Sequence, residues 1–469
     1  MTAVALRAAL TLADVLAATG GTLVAPAAAE MAFTAVSIDS RTLETGALFV
    51  AVKGPRFDGH DFLVEASGRG ARAALVHRDA QAPVGFPLVR VADTTRSLSD
   101  LARHVRRAAT LPVVGVTGSV GKTTTKDMTA HLLATRGPVL KTEGNLNNQY
   151  GLPLTLLRLR PEHAAAVLEM GMSAPGEIRA LSTLAEPDVA TITRVAPVHL
   201  EFFPSVDAIA EAKAEILEGL RPGGTAVLNG DDPRVRAIGG RCAGRVVWFG
   251  RDRRHHVSAE GWRGTAFGMR FLLRVGGRAV EVALPLAGPH FVTSFLAAAA
   301  AAHTLGIAPE AMAEAATSLR PAPHRGEVRR LGEEVVLLDD CYNSSPEALE
   351  AAVVALTLAP GRRRVAVLGE MLELGPAGPA LHHAAGQALA GRVDVVVGVG
   401  ALAKEIVEGA RKAGLPEPSL HYFVAAADAV AALEGLLRPG DAVLVKGSRG
   451  VKLEAVVDAI AARFGERRA

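Results

Sequence analysis

Residues 113–133 read VVGVTGSVGKTTTKDMTAHLL, an apolar strand, a glycine-rich turn and a helix in immediate succession. Backbone N–H groups of Gly118, Ser119, Val120, Gly121 and Lys122 at a helix start can surround phosphate oxygens. Lys122 adds a point charge, and Thr123, followed by Thr124, offers a hydroxyl suited to Mg²⁺. The general phosphate-loop pattern wants another glycine where this chain has Val116, so an ordinary strand-to-helix glycine turn is the plain alternative. Asn145, Asn147 and Asn148 follow in KTEGNLNNQYGLP, a loop too polar for core. Their amides could hold a phosphate-bearing substrate and a nucleotide, or simply build a turn.

Two further apolar strands lead to potential metal ligands, Glu169 after VL and His199 after ITRVAPV. In open α/β sheets ligands sit at the carboxyl ends of strands, and a carboxylate suits Mg²⁺; imidazole is a less usual ligand, and a satisfied structural histidine is the competing reading. Lys213 lies between Glu211 and Glu215 on a helical stretch, which by itself reads as a solvated, charge-balanced face. Near the C-terminus LLDDCYNSSPEAL, LGEMLELG (followed by LHHAAG) and VLVKGSRG each place polar residues directly after an apolar strand. Lys446, Ser448 and Arg449 together look anion-binding. Gly398 and Gly400 lack the third glycine of a dinucleotide fingerprint and read as a packing turn; Cys341 reads as an incidental thiol without a metal partner.

The elements that must carry these residues follow from length and pattern. A chain of 469 residues is too long for one core, and three domains are expected, at 1–93, 94–322 and 323–469. Hydrophobic residues at 49% and charged ones at 21% exclude global disorder. Aromatics at 4% are too few for a base-stacking platform. Apolar segments alternate with helical ones, which predicts an α/β protein: a small N-terminal α/β domain, a central doubly wound parallel sheet with added antiparallel strands, and a C-terminal Rossmann-like domain. The antiparallel addition is RGTAFGMRFLLRVGGRAVEVALPLAG, with a Gly-Gly turn, and LRPAPHRGE is the linker. The run AAAAAAH at 297–303 is expected as helix. The 51 basic against 48 acidic side chains leave +3 with no long basic run, so nucleic acid is not an expected partner. Two cysteines cannot make a disulfide framework, and no apolar run is long enough to span a membrane; a cytoplasmic protein is expected. The N-terminal spacing of Leu6, Leu10, Ala13 and Leu16 before Gly20-Gly21 favours an amphipathic helix over a signal peptide.

Taken together the motifs resemble the Mur ligases over nearly the whole chain. TGSVGKTTT is similar to the family's ATP loop, VSIDSRTLETGALFVAVKGPRFDGHDF to its UDP-binding region, and EGNLNNQYGLP, GEMLELG and VLVKGSR to the type that adds D-alanyl-D-alanine to UDP-N-acetylmuramoyl-tripeptide. The resemblance implies an ATP-dependent, ADP-forming amide ligase of peptidoglycan synthesis that works through an acyl phosphate, as a monomer whose C-terminal domain closes on ATP. The tripeptide would end in diaminopimelate or lysine. It also implies residue roles. Ser40 and Arg41 would meet the uridine diphosphate, with Asn145, Asn147, Asn148, Lys446, Ser448 and Arg449 also facing substrate. Residues 118–124 would hold ATP with His290, Arg325, Asp340 and Asn343. Thr123, Glu169, His199 and a carbamylated Lys213 would hold two Mg²⁺, and Lys122, His199 and Lys213 would form the catalytic set. Four positions depart from the family pattern: Phe291 and Ser294 stand where adenine-contacting amides are usual, Arg194 where an asparagine usually precedes the metal histidine, and Ser345 where YNSSP replaces the usual YNANP with Asn343 kept. These departures keep two other readings in play, a ligase adding a different residue and a nucleotide-regulated binding protein without chemistry.

Overall fold

The computed structural model describes residues 9–25 and 27–465. They form two compact units: the described residues up to Val116, with Arg136–Ala190 and Glu215–Gly224, make the first, and Thr117–Thr135, Thr191–Ala214 and the described residues from Thr225 on make the second. The expected N-terminal helix runs Leu12–Thr19, with a capping box between Thr11 and Asp14 and left-handed Gly20 at its end; Leu6 lies outside the described residues.

In the first unit, strands Thr22–Leu23, Leu88–Arg90, Ala73–Val76, Leu48–Val50 and Val36–Ser37 form one sheet in that order. All its neighbours are parallel except Thr22–Leu23. Asp93 caps helix Thr94–Ala108 by accepting from the Thr95 and Arg96 N–H groups, and Leu98, Leu101 and Val105 turn its apolar stripe inward. Its Arg106 is buried, and the guanidinium donates to the carbonyls of Ala185 and Glu186 at 2.7 and 2.8 Å. Beyond it, strands Val113–Thr117, Ala165–Glu169 and Val139–Lys141 pair in parallel, and the register sets Glu169 beside Val116.

In the second unit, strands Thr225–Asn229, Arg245–Gly250 and Val257–Thr265 pair in parallel, and the last continues antiparallel into Gly268–Val275 and Arg278–Leu284. Gly276 and Gly277, both at positive φ (58° and 75°), make the two-residue turn expected of a Gly-Gly pair. Helix Pro289–Thr304 packs against this sheet and against helix Lys122–Leu133, with every residue from Ala297 to Ala302 fully buried. A second sheet runs Glu327–Arg330, Val336–Asp340, Asp441–Lys446, Arg363–Gly369, Val395–Val399, Leu420–Phe423. It is parallel except for Glu327–Arg330, and apolar clusters cover both faces. The sequence order reverses around Asp441–Lys446, so Asp340 and Lys446, paired in register, end neighbouring strands at a switch point, the usual place for a ligand. Two of these strands, Glu327–Arg330 and Leu420–Phe423, were not among the expected ones. No described helix is long and apolar enough to cross a membrane.

Candidate active site

In the second unit the glycine-rich turn is held from outside. Gly118 sits at φ 150°, where a Cβ would lie 1.9 Å from the Thr193 hydroxyl, so no side chain fits. Ser119 N–H donates to the Arg194 carbonyl at 2.7 Å, and Thr193 Oγ1 donates to the Val120 carbonyl at 2.7 Å. Gly121 at φ 83° opens helix Lys122–Leu133, so the N–H groups of its first turn point across the loop. Lys122 folds back over it and donates to the carbonyls of Gly118 (2.8 Å) and Ser119 (3.3 Å), placing its charge where an anion would sit. Thr123 and Thr124 are half-buried.

Lys213, in helix Val206–Ala214, is 1% exposed, and its ammonium has no hydrogen bond or ion pair among the described residues. Burial pushes its pKa well below the ordinary lysine value, and the nearby charge of Lys122 pushes it further. The charge-balanced surface face is thereby overturned: Glu211 pairs with Arg241 at 2.8 Å, while Glu215, in the first unit, accepts from the N–H groups of Gly176 and Arg179. A neutral amine, an uncommon and nucleophilic form of lysine, is what this environment stabilises.

His199 adopts φ 58°, and its Nδ1 lies 2.5 Å from Oε2 of Glu373, itself at φ 64°. The Glu201 N–H donates to the Glu373 carbonyl at 3.3 Å, so the two segments are tied by backbone as well. The hydrogen bond from His199 holds the Glu373 carboxyl below its usual range, and the charges of His199 and Lys122 add to it. With Nδ1 committed, Nε2 is the ring nitrogen available to a ligand. Glu373 is a site residue that the motif reading did not single out; its only mark in the sequence is its place within GEMLELG.

In the first unit Glu169 is 3% exposed, and its two oxygens differ. Oε1 accepts from Asn147 Nδ2 at 2.8 Å, whereas Oε2 is buried without a partner. A buried anionic oxygen left bare is costly unless a cation meets it, and a carboxylate oxygen suits a hard divalent cation. Within the second unit, the Thr123 hydroxyl and His199 Nε2 are donors of types that a divalent cation can also take. The three asparagines separate. Only Asn147 reaches the carboxylate; Asn148 Oδ1 accepts from the N–H groups of Tyr150 and Gly151 in the turn that leads into the helix Gly151–Leu156, and Asn145 is exposed. Ser40 is buried at the start of a 3₁₀ turn, while exposed Arg41 lays its guanidinium on Asp39 at 2.7 and 2.9 Å.

The C-terminal candidates all lie in the second unit, and two of them, Lys446 and Ser448, are more internal than their motif suggested. Lys446 is 2% exposed, and its three protons are spent on Asp340 Oδ2 (2.5 Å), the Asn343 carbonyl (3.1 Å) and the Asp340 carbonyl (3.4 Å). It pins two strand ends rather than presenting a free cation, because its position in a fully buried strand leaves no route to solvent. Ser448 is also buried and accepts from the Leu372 N–H. Arg449 is exposed, and both it and Arg325 stack on Tyr342, at 5.0 and 4.0 Å from the ring centre. Asn343 is exposed. Phe291 is buried close to Gly326, and Ser294 lies against Gly121. Arg194 pairs with Glu347 at 2.8 Å. His382, from LHHAAG, is a satisfied core histidine bonded to Met371 N–H and the Gly378 carbonyl. Gly400 is a packing position as expected, 2.7 Å from Glu370 Cγ for an added Cβ.

His290, at the start of helix Pro289–Thr304, has a buried Nδ1 without a partner, and burial lowers its pKa to about 4 despite Asp340. It is therefore neutral at pH 7. Because the unfolded state takes up this proton first as pH falls, the associated stability is complete above about pH 6.5 and lost towards pH 4. The loss should be no more than about 3 kcal/mol. Denaturant titration of wild type and His290→Gln across that interval should show the variant less pH-dependent; equal slopes would contradict this.

Comparison with known proteins gives consistent matches. Three family models match: Mur ligase family, catalytic domain (residues 32–106), Mur ligase middle domain (116–302), and Mur ligase, glutamate ligase domain (324–449). The chain is 37% identical to the UDP-N-acetylmuramoyl-tripeptide--D-alanyl-D-alanine ligase of Escherichia coli (strain K12), over 92% of this chain and 94% of that one. It is 36% identical to the enzyme of that name from Bacillus subtilis (strain 168), over 93% and 95%. Among solved structures, MurF from Acinetobacter baumannii aligns with a TM-score of 0.90 at 32% identity, covering 97% of this chain and 99% of that one. MurF from Thermotoga maritima, solved in complex with ADP, aligns with a TM-score of 0.81 at 32% identity, covering 91% and 97%.

Proposed function

The chain belongs to the Mur ligase family, and from that premise we propose that it joins D-alanyl-D-alanine to UDP-N-acetylmuramoyl-tripeptide at the expense of ATP, making a peptidoglycan precursor. The observation that carries this reading is the similarity to the Escherichia coli enzyme along 94% of that enzyme's length. The work divides as 1–93 for the UDP moiety, 94–322 for ATP and 323–469 for completing the site around both.

A carboxylate is a poor electrophile, so amide formation needs a leaving group. The terminal carboxylate of the tripeptide attacks the γ-phosphorus of ATP, ADP departs, and an acyl phosphate results. The amine of D-alanyl-D-alanine then adds to the acyl carbon, loses a proton, and the tetrahedral intermediate expels phosphate. Residues 118–124 grip the phosphates of ATP through backbone N–H groups, and Lys122 moves from the loop carbonyls onto them, offsetting the charge that develops during transfer. Arg325 and Arg449, aligned by Tyr342, offer a pair of planar cations to anionic ligands. Asn147 orients Glu169 so that its bare oxygen faces a cation.

As the family resemblance implies, Glu169, His199, Thr123 and a carbamylated Lys213 would hold Mg²⁺, which would neutralise phosphate charge and help align the reacting oxygens. The carbamate forms when the neutral Lys213 amine attacks CO₂ and releases one proton, converting a buried nitrogen without a partner into a bidentate anion. Glu373 holds His199 in one tautomer with Nε2 outward, the arrangement by which carboxylates commonly steady metal-binding imidazoles. Glu373→Ala should weaken Mn²⁺ binding by roughly 10–100-fold, and Glu373→Gln by less. Electron paramagnetic resonance of Mn²⁺ without substrates reads this directly, and unchanged affinity in Glu373→Ala would remove the role.

Phosphate release with UDP-N-acetylmuramoyl-tripeptide, with and without D-alanyl-D-alanine, tests the whole. Release that needs both substrates is expected. Release supported by a single amino acid instead would make this a ligase of another step, and ATP binding without turnover would make it a regulated binder.

A further inference from the structure

We propose that His324, Asp339 and Cys341 form a binding site for one thiophilic divalent cation of the Zn²⁺ class, separate from the residues assigned to Mg²⁺. The three side chains come from two segments that the fold brings together: His324 from the linker before Glu327–Arg330, the other two from the end of Val336–Asp340. Asp339 lies between its partners, with Oδ2 2.8 Å from His324 Nδ1 and Oδ1 3.2 Å from Cys341 Sγ. All three donor atoms fall within 4.8 Å of one another. Ligands around a tetrahedral zinc, at about 2.0–2.3 Å from the metal, stand about 3.2–3.8 Å apart, so small side-chain shifts suffice.

The backbone is arranged for this meeting. His324 takes φ 59°, a left-handed conformation that costs a non-glycine residue energy, and its carbonyl accepts from Tyr342 N–H at 3.1 Å. Asp339 and Cys341 are each 1% exposed, whereas the His324 side chain is 34% exposed. The imidazole therefore marks both the way in and a fourth position open to water. Asp340 and Glu454 also act electrostatically on the thiol, so carboxylates surround the sulfur. Sulfur and imidazole donors favour Zn²⁺ over Mg²⁺, which keeps oxygen ligands. On binding, the thiol proton passes to solvent as the metal–sulfur bond forms, and His324 carries its proton on Nε2 instead of Nδ1, with no further change in charge. The ligands alternate along the chain with Arg325, Asp340 and Asn343, so the ion would brace, from behind, the loops assigned to the nucleotide.

The competing account is a closed hydrogen-bonded triad in which His324 and Cys341 satisfy both oxygens of Asp339. Co²⁺ distinguishes the two, because a cobalt–thiolate bond gives near-ultraviolet charge-transfer absorption. Full-length protein in excess Mg²⁺ should develop that band with one equivalent of Co²⁺, and Zn²⁺ should abolish it. The chain has only two cysteines, which makes the assignment direct. Cys242→Ser should keep the band and Cys341→Ser should lose it, while His324→Gln, at a half-exposed position where the amide keeps a polar group, should weaken binding about tenfold or more. Zn²⁺ should raise the Tm of wild type and leave that of Cys341→Ser unchanged. No band at stoichiometric Co²⁺, or a band that survives Cys341→Ser, would overturn the site.

Discussion

Lys213→Ala should reduce ligation by roughly 10³-fold or more while leaving the protein folded, because it removes an anion from the reaction centre rather than a surface charge. Alanine is smaller than the buried stem it replaces and leaves an apolar cavity, so the fold loses some stability but gains no uncompensated charge. The sign of the effect follows from the amine's surroundings. A lysine that is 1% exposed, unpaired and beside Lys122 is driven to its neutral form, the only form that can take up CO₂. Depleting CO₂ should therefore lower wild-type activity reversibly, and ¹³C-bicarbonate should give a carbamate resonance that Lys213→Ala lacks. Bulky exposed lysines give neither response. A variant with full turnover would return Lys213 to a structural role.

Lys122→Ala should cost roughly 10²–10³-fold in kcat, the scale of losing one preorganised donor to developing charge. It carries a second consequence of opposite chemical sense. Lys122 repels the protonated form of Lys213, so its removal raises the proton affinity of that amine and lowers the fraction able to react with CO₂. The same change removes a charge that helps keep Glu373 ionised. The loss should thus respond to added bicarbonate in part, whereas the phosphate contribution should not. Rates at several bicarbonate concentrations separate the two, and a loss wholly insensitive to bicarbonate would mean the coupling is negligible.

What could be read in advance depended on whether the cause was local. The turn at 118–122 was legible because its glycines, their positive φ and the following helix all belong to one short segment. The Gly276-Gly277 hairpin was legible for the same reason. Glu373 was not, since nothing near it in the chain announces His199, a partner 174 positions away. Lys213 misled in the other direction: two flanking glutamates suggested a paired surface, and only the fold reveals that each is engaged elsewhere. Asn147 and Asn148 are the same residue side by side, yet one holds a carboxylate and the other the backbone of its own turn, because successive positions in a turn face different ways. Leu420–Phe423 escaped because His421 and Tyr422 interrupt the apolar run that marks its neighbours.

The helix Pro289–Thr304 separates the helix of the phosphate turn from the sheet behind it, and from Ala297 to Ala302 its thickness is set by methyl groups alone. At the level of the genetic code this is a narrow corridor. Every single-base change away from an alanine codon that alters the amino acid yields threonine, proline, serine, aspartate, glutamate, glycine or valine. Each of these is larger, polar, or poorer in a helix than alanine. Six adjacent codons can therefore drift silently only at their third base, and any other single-base change there alters the height at which the phosphate turn is carried or weakens the helix that carries it.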